Sequence, residues 1–382
     1  MRIGVDARYL SSSPGGIGRR SRALLEAMFN QEPDAEWVVL AHQSFPLGWP
    51  ENPPPNLEIH RLPQRPVSRF TLSGLGEWIE EQRLDLWHAH FPLAPRCHIP
   101  LVVTVHDLQP LLCPGWTGRR IWPLPWAYRA FYRRAYESSI RRARRVIAVS
   151  EWTAQTIREQ WPEASAKITV IPAALESRWL DVPPDPQPDP RVPAVLYVGS
   201  TRPNKNLPVL IQAFAHLICM EGVAANLRLR LVVVRDRFWP PLERRIRARG
   251  LRDRVDVIDP LGDLELAREY RGASALAFVT THEGFGFPPL EAMACGCPVI
   301  ASRHGALPET CSDAAEYVDH TDPMDVARGL ARVLTDAVHR EGLIRAGRER
   351  AARRRWAEAA EETLSLYRRV LGVTGKNHPT ES

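Results

Sequence analysis

Along the first half of the chain, apolar residues gather alternately into short unbroken runs and into longer stretches at helical spacing. Residues 2–7 form an extended apolar run, the loop Pro14-Gly15-Gly16-Ile17-Gly18 interrupts it, and residues 19–29 place Leu24, Leu25 and Met28 on one helix face. Further strands are predicted at 37–40, 86–89, 100–105 and 146–149, separated by helical segments such as 75–82 and 126–142. Strands alternating with helices in this way build a parallel sheet covered on both faces.

Past Ile171-Pro172 the pattern breaks at Asp181-Val182-Pro183-Pro184-Asp185-Pro186-Gln187-Pro188-Asp189-Pro190, too rich in proline for the interior of any element. A second alternating series follows, with strands predicted at 194–198, 229–234 and 275–280 and helices at 207–218 and 241–249. The expected organisation is α/β: a first doubly wound domain over 1–174, a connector over 175–189, and a second doubly wound domain over 190–355. A final helix over 356–372 is expected to cross back onto the first domain, and 373–382 to be disordered.

A chain of 382 residues supplies a sizeable core to each of two such domains. Apolar residues make up 44% and charged residues 25%, and no apolar run approaches the length of a membrane span. The first residues enter a strand without an apolar leader, so the protein is expected in the cytoplasm. Cysteines 97, 113, 219, 295, 297 and 311 are scattered singly apart from one C-x-C, which suits reduced thiols better than a disulfide framework or a zinc site. The net charge of +6 rests on 47 arginines and only three lysines, and this bias makes Lys205 stand out.

The segment richest in chemistry is Thr281-His282-Glu283-Gly284-Phe285-Gly286-Phe287-Pro288-Pro289-Leu290-Glu291-Ala292-Met293-Ala294, which follows a predicted strand and opens a helix. Prolines at the helix start pre-organise the turn, glycines let backbone amides approach a ligand, and the helix N-terminus favours an anion such as a phosphate. Glu283 on the loop and Glu291, expected in the first helical turn, can both face the crevice where doubly wound sheets bind ligands. Taken singly, Glu291 reads as an acid complementing its own helix dipole, Gly284 and Gly286 as turn residues, and Phe285 and Phe287 as core. The combined string is far more specific.

From Glu283 to Val299 the chain resembles the E-x7-E signature of the retaining glycosyltransferases of family 4, in the setting E-G-F-G-x-P-x-x-E-A-M-A-x-G-x-P-V. Other segments similar to that family occur in the expected order: the glycine loop at 14–19, Val103-Thr104-Val105-His106-Asp107, the strand ending in Ser150, Val198-Gly199-Ser200-Thr201-Arg202-Pro203-Asn204-Lys205-Asn206, and Gly305-Ala306-Leu307-Pro308-Glu309. The resemblance implies the GT-B fold, two facing Rossmann-like domains with a cleft between them. It further implies that Glu283 binds hydroxyls of the transferred sugar, that Glu291 binds the ribose, and that amides of Gly284, Phe285, Gly286 and Phe287 cradle sugar and phosphate. Arg202 and Lys205 would neutralise the diphosphate beside Gly199, amides of Gly15 and Gly16 would close over it, and His106 would donate a hydrogen bond near the reacting sugar.

Three segments depart from the family pattern. Ser200 stands where an arginine is usual, Ile171-Pro172-Ala173-Ala174 where Asn-Gly is common, and Val234-Arg235 where a glycine often ends the strand. A dinucleotide fingerprint at the N-terminal glycine loop is disfavoured, because Ser21 stands where its third glycine belongs. His88 and His90 form an H-x-H on one strand face and read as packing or acceptor-side residues, not as zinc ligands. No D-x-D occurs, which agrees with a reaction that needs neither metal nor other cofactor.

The resulting expectation is a retaining, metal-independent hexosyltransferase that moves a sugar from a nucleotide-sugar donor to a hydroxyl of a glycan or lipid-linked acceptor. Likeness to the mannosyltransferase branch points to GDP-mannose; UDP-sugar transfer, a nucleotide-sugar epimerase or hydrolase, and a non-catalytic scaffold are the alternatives. Segment 257–261, near which the base is placed, does not decide between guanine, uracil and adenine. Residues 116–145 hold nine arginines and one acid, Glu137, interleaved with aromatic residues, which suggests peripheral contact with the inner face of the cell membrane. No nucleic acid partner is expected.

Overall fold

The computed structural model describes residues 1–10, 15–45, 48–113, 125–180 and 192–373. The chain divides into two compact units, one drawn from Met1–Leu108, Leu124–Ala174 and Arg355–Ser382, the other from Gln109–Pro123 and Leu175–Arg354.

In the first unit, strands β1 (Arg2–Asp6), β2 (Glu36–His42), β3 (Leu57–Leu62), β4 (Leu86–Ala89), β5 (Leu101–Val105), β6 (Arg145–Ala148) and β7 (Ile168–Val170) form one parallel sheet in the order β3-β2-β1-β4-β5-β6-β7. Ile3 lies opposite Trp37 on one side and Leu86 on the other, so apolar rows continue across the sheet. The central strands read as near-continuous apolar runs because helices cover both faces. Helix Gly16–Gln31 buries Leu24, Leu25 and Met28. The last helix, Trp356–Leu371, belongs to this unit: Gln31 Nε2 donates to the Ala357 carbonyl at 2.7 Å, and Arg368 pairs with Glu32. Inside the unit, Tyr367 Oη shares a short hydrogen bond with His88 Nδ1, and His88 Nε2 lies 2.8 Å from Thr104 Oγ1.

In the second unit, β8 (Ala194–Gly199), β9 (Arg228–Val233), β10 (Val255–Ile258), β11 (Ala275–Phe278), β12 (Val299–Ser302) and β13 (Ala315–Val318) form a parallel sheet in the order β10-β9-β8-β11-β12-β13. Each sheet therefore grows outward from its first strand in both directions, with strand order reversing between β1 and β4 in the first and between β8 and β11 in the second. Such a reversal opens a crevice at the carboxyl ends of the two strands, where open α/β sheets hold ligands.

Residues 175–180 differ from the expected connector. Ser177–Leu180 is a helical turn, and Leu175 and Trp179 insert into the core of the second unit, because a buried indole outweighs the local preference for an extended proline-rich chain. The rest of the proline-rich connector, Pro14 of the glycine loop, residues 116–124 of the basic segment and the tail from 374 lie outside the described residues.

Candidate active site

The carboxyl end of β8 leads into Gly199, beside which the Tyr197 hydroxyl donates to the Ser200 carbonyl at 2.7 Å. The following loop is braced by Thr201, whose hydroxyl donates to Asp236 Oδ1 at 2.5 Å. Arg202 is exposed at the start of a 3-10 turn over Pro203–Lys205, and that turn ends at Asn206 in the left-handed region, φ 57°.

Across the switch point, the carboxyl end of β11 leads into His282, Glu283 and Gly284. Hydrogen bonds zip the two loops together: Thr281 N to the Asn204 carbonyl at 2.8 Å, Asn204 Nδ2 to the His282 carbonyl at 3.2 Å, and Asn206 Nδ2 to the Val279 carbonyl at 3.1 Å. The zipper delivers Lys205 to Glu283, with Nζ 2.5 Å from Oε2 and 5.2 Å from the centre of the Phe278 ring. Both side chains are only 16% exposed, so the pair is largely withdrawn from solvent screening.

Glu283 is held from behind by a third loop, after β12. Ala306 N donates to the Glu283 carbonyl at 3.0 Å, and a Cβ on Gly305 (φ 68°) would stand 3.0 Å from Glu283 N and 3.1 Å from its carbonyl oxygen. Gly286 caps the helix Phe287–Ala294 in a left-handed conformation, φ 106°, where a Cβ would meet Leu307 Cδ2 at 2.8 Å. Both positions combine a positive φ with a close neighbour, which is why glycine occupies them. Thr310 Oγ1 donates to the Phe285 carbonyl at 2.5 Å, and the Phe285 and Phe287 rings contact at 5.1 Å.

Glu291 is the fifth residue of its helix rather than a member of the first turn, so the helix-dipole reading does not describe it. Its carboxylate is 1% exposed and receives a hydrogen bond from Tyr270 Oη at 2.8 Å. A buried carboxylate is costly unless it is hydrogen-bonded, so Tyr270 is part of what keeps Glu291 where it is. Tyr270 was not singled out from the sequence, since one tyrosine on an amphipathic helix carries no local sign of its partner.

In the first unit, Gly15 and Gly16 form the start of helix Gly16–Gln31, where no side chain caps the helix and a Cβ on Gly15 would meet nothing within 4 Å. His90 and His106 follow β4 and β5. His106 Nε2 lies 3.0 Å from the His90 carbonyl, and since a carbonyl only accepts, Nε2 carries the hydrogen. Burial, with the Arg20 charge behind it, drives the His106 pKa down to about 3. With Nε2 carrying its hydrogen, the neutral ring leaves Nδ1 as an acceptor. His88 and His90 are wholly buried with rings 4.3 Å apart, and neither ring nitrogen of His90 has a hydrogen-bond partner among the described residues.

A row of three histidines in the second unit was likewise invisible from spacing. His282 follows β11, His304 follows β12 and His320 follows β13, and their rings lie 5.3 Å (282 to 304) and 5.2 Å (304 to 320) apart. Burial lowers the pKa of His282 and of His320, and neighbouring imidazoles lower both further. Among the described residues no three His, Cys, Asp or Glu side chains converge as a metal ion would require.

The basic segment divides between core and surface. On helix Pro125–Arg142, Tyr132 and Tyr136 are buried, while Trp126 is 65% exposed alongside exposed Arg129, Arg133 and Arg134. Arg141 pairs with Glu137 and Glu163, and Arg142 donates to the Ala94 and Pro95 carbonyls. No described helix is long and apolar enough to cross a membrane.

Two family models match the chain: Glycosyltransferase Family 4 over residues 14–177 and Glycosyl transferases group 1 over residues 183–350. The chain is 28% identical over 357 residues to a D-inositol 3-phosphate glycosyltransferase of Nocardiopsis dassonvillei, covering 82% of this chain and 80% of that one. It is 25% identical over 286 residues to O-antigen chain mannosyltransferase B of Escherichia coli, covering 70% of each. Among solved structures it is similar to HepE of Anabaena in complex with UDP-glucose, with TM-score 0.70, 18% identity, and coverage of 96% of this chain and all of that one.

Proposed function

Because the chain is a glycosyltransferase of the GT-B fold, we propose that it moves a hexose, mannose from GDP-mannose in the first instance, to a hydroxyl of a glycan or lipid-linked acceptor with retention at the anomeric carbon. The observation that carries this reading is the Lys205–Glu283 pair at the switch point between β8 and β11, on the loop that leads into the helix of buried Glu291.

In this reading Glu283 accepts hydrogen bonds from sugar hydroxyls and Glu291 from the ribose, while amides of Gly284 to Phe287 and the helix start behind them face the phosphates. Lys205 and Arg202 stabilise the negative charge that grows on the departing diphosphate. The acceptor oxygen forms its bond to C1 as the C1–O bond to phosphate breaks; the electron pair leaves with the diphosphate, whose oxygen takes the acceptor proton. No enzyme nucleophile and no metal enter this scheme. In the first unit, the amides at Gly15 and Gly16 are available to an anion, and Nδ1 of His106 to a hydroxyl. The exposed Trp126, Arg129, Arg133 and Arg134 face lies on anionic lipid, each basic group adding about 1 kcal/mol.

A thermal-shift series with GDP, UDP and ADP, with and without EDTA, tests donor binding. A nucleotide at one hundred times its Kd adds about 2.7 kcal/mol of stability. Stabilisation by one nucleoside diphosphate that survives the chelator, followed by acceptor-dependent turnover to a product with the donor's anomeric configuration, is the expected result. Turnover without any acceptor would instead mark a hydrolase or epimerase, and an inverted product would end the same-face scheme. Failure to float with anionic vesicles at low salt would remove the membrane contact.

A further inference from the structure

The loop after β11 is anchored through its carbonyls, while two of its amides are left over. The Glu283 carbonyl accepts from Ala306 N at 3.0 Å and the Phe285 carbonyl from Thr310 Oγ1 at 2.5 Å. Gly284 and Gly286 are buried, yet among the described residues neither of their N–H groups donates to an acceptor. Buried amides without partners are rare, because the hydrogen bond lost to water goes unreplaced. Both peptides are trans, and in a planar trans peptide the C=O and the N–H point in opposite directions. Whatever holds one carbonyl therefore aims the amide hydrogen that follows it. Ala306 and Thr310, at the short helix Leu307–Cys311, draw the carbonyls of Glu283 and Phe285 towards that helix and so turn the N–H groups of Gly284 and Gly286 away from it.

We infer that Thr310 is a positioning residue for the donor site: its hydroxyl sets the Phe285–Gly286 peptide so that the Gly286 amide meets the donor's diphosphate. The inference rests on the donor-site reading above and adds to it the side chain that orients the loop. The two anchors differ in kind. Ala306 holds Glu283 through its backbone, which any residue but proline supplies, whereas Thr310 holds Phe285 through its side chain. Nor does the loop fix that peptide by itself, since Gly286 lacks a Cβ and accepts φ of either sign, so the peptide before it can turn over at little steric cost. The observed φ of 106° is the one that accompanies the bond from the hydroxyl. Thr310 is itself held still. It is buried, its N–H donates to the Ala306 carbonyl at 2.9 Å, and Arg350, from the helix Ala337–Ala352, donates through Nε to the Thr310 carbonyl at 2.7 Å and through Nη2 to the Glu309 carbonyl at 2.5 Å.

Three substitutions separate the hydroxyl from the rest of the side chain. T310V keeps the volume and removes the donor, T310A removes both, and T310S keeps the donor alone. Titration calorimetry with GDP and with UDP is expected to show binding weakened about tenfold in T310V and in T310A, the loss of one well-placed hydrogen bond, and restored to within about twofold in T310S. Chemical denaturation of the same samples measures how much of each chain is folded, so that affinity is compared between folded proteins. In NMR spectra of the unaltered protein and of T310S, the Gly286 amide signal should shift downfield as the nucleotide is added, and in T310V and T310A it should not. Nucleotide affinity that is unchanged in folded T310V and T310A, or T310S as weak as they are, assigns Thr310 a packing role and overturns the inference. A Gly286 signal that stays in place while the unaltered protein fills with nucleotide overturns it as well, and either result leaves the donor site standing. Binding of neither GDP nor UDP by the unaltered protein overturns the donor-site reading and the inference with it.

Discussion

The hydroxyl of Tyr270 lies 2.8 Å from Oε2 of Glu291, and both groups are withdrawn from solvent in the second unit. The bond contributes to the orientation of that carboxylate on the helix Phe287–Ala294. Y270F is therefore expected to raise the KM for the nucleotide donor about tenfold while changing kcat little, because losing a hydrogen bond to a buried charged group costs about 1–3 kcal/mol. Steady-state kinetics with varied donor measures the split, and an unchanged KM would show that other contacts orient Glu291.

Removal of either partner of the Lys205–Glu283 pair should cost far more than affinity. E283Q and K205A are each expected to lower kcat about 10²- to 10³-fold, and the double variant to lose much less than the product of the two. The non-additivity is the decisive quantity, since a scaffold with a relict site would be indifferent to all three changes.

Acid should destabilise the first unit through its buried histidines. His88, His90 and His106 are held neutral by burial, His106 down to about pH 3, whereas each takes up a proton near pH 6.5 once the chain is unfolded. Below pH 6.5 the unfolded state thus binds more protons than the folded one, and stability falls with pH by up to about 1.4 kcal/mol per unit for each histidine. Melting temperatures between pH 7.5 and 4.5 should decline from about 6.5 downwards, with the His106 imidazole still neutral by NMR at pH 4.5. A Tm constant across that range would contradict the assignment.

The glycines behind Glu283 should tolerate no side chain. G305A drives a methyl into the Glu283 backbone at 3.0 Å, and G286A combines φ 106° with Leu307 at 2.8 Å. Each is expected to cost about 1–3 kcal/mol of stability and to reduce donor binding along with it. Chemical denaturation and nucleotide titration of the same samples test both halves of that statement.

Some of this was open to reading along the chain. The strands β2, β5 and β8 are largely unbroken apolar runs because both faces of a parallel sheet are covered, and the string from Glu283 to Glu291 carries its loop, glycines and helix start within one short window. Edge strands were less visible: β3, Leu-Glu-Ile-His-Arg-Leu, and β7, Ile-Thr-Val, are only partly buried and so lack an unbroken apolar signature. Trp179 showed no helical context in a proline-rich stretch, and Glu291 moved from the first turn to the second because the helix begins at Phe287.

Other relationships have no local trace at all. Lys205 meets Glu283 only because β8 and β11 are neighbours although β9 and β10 intervene in the chain, and Tyr270 meets Glu291 only once their two helices pack. His282, His304 and His320 are single residues about twenty positions apart, brought into one row by the parallel order β11-β12-β13. Which ring nitrogen of His106 carries the hydrogen is set by the His90 carbonyl, which follows the adjacent strand. Periodicity and turn chemistry act within a few residues and so are written in the chain, whereas strand order and burial are properties of the closed core, and it is these that choose each polar group's partner and charge.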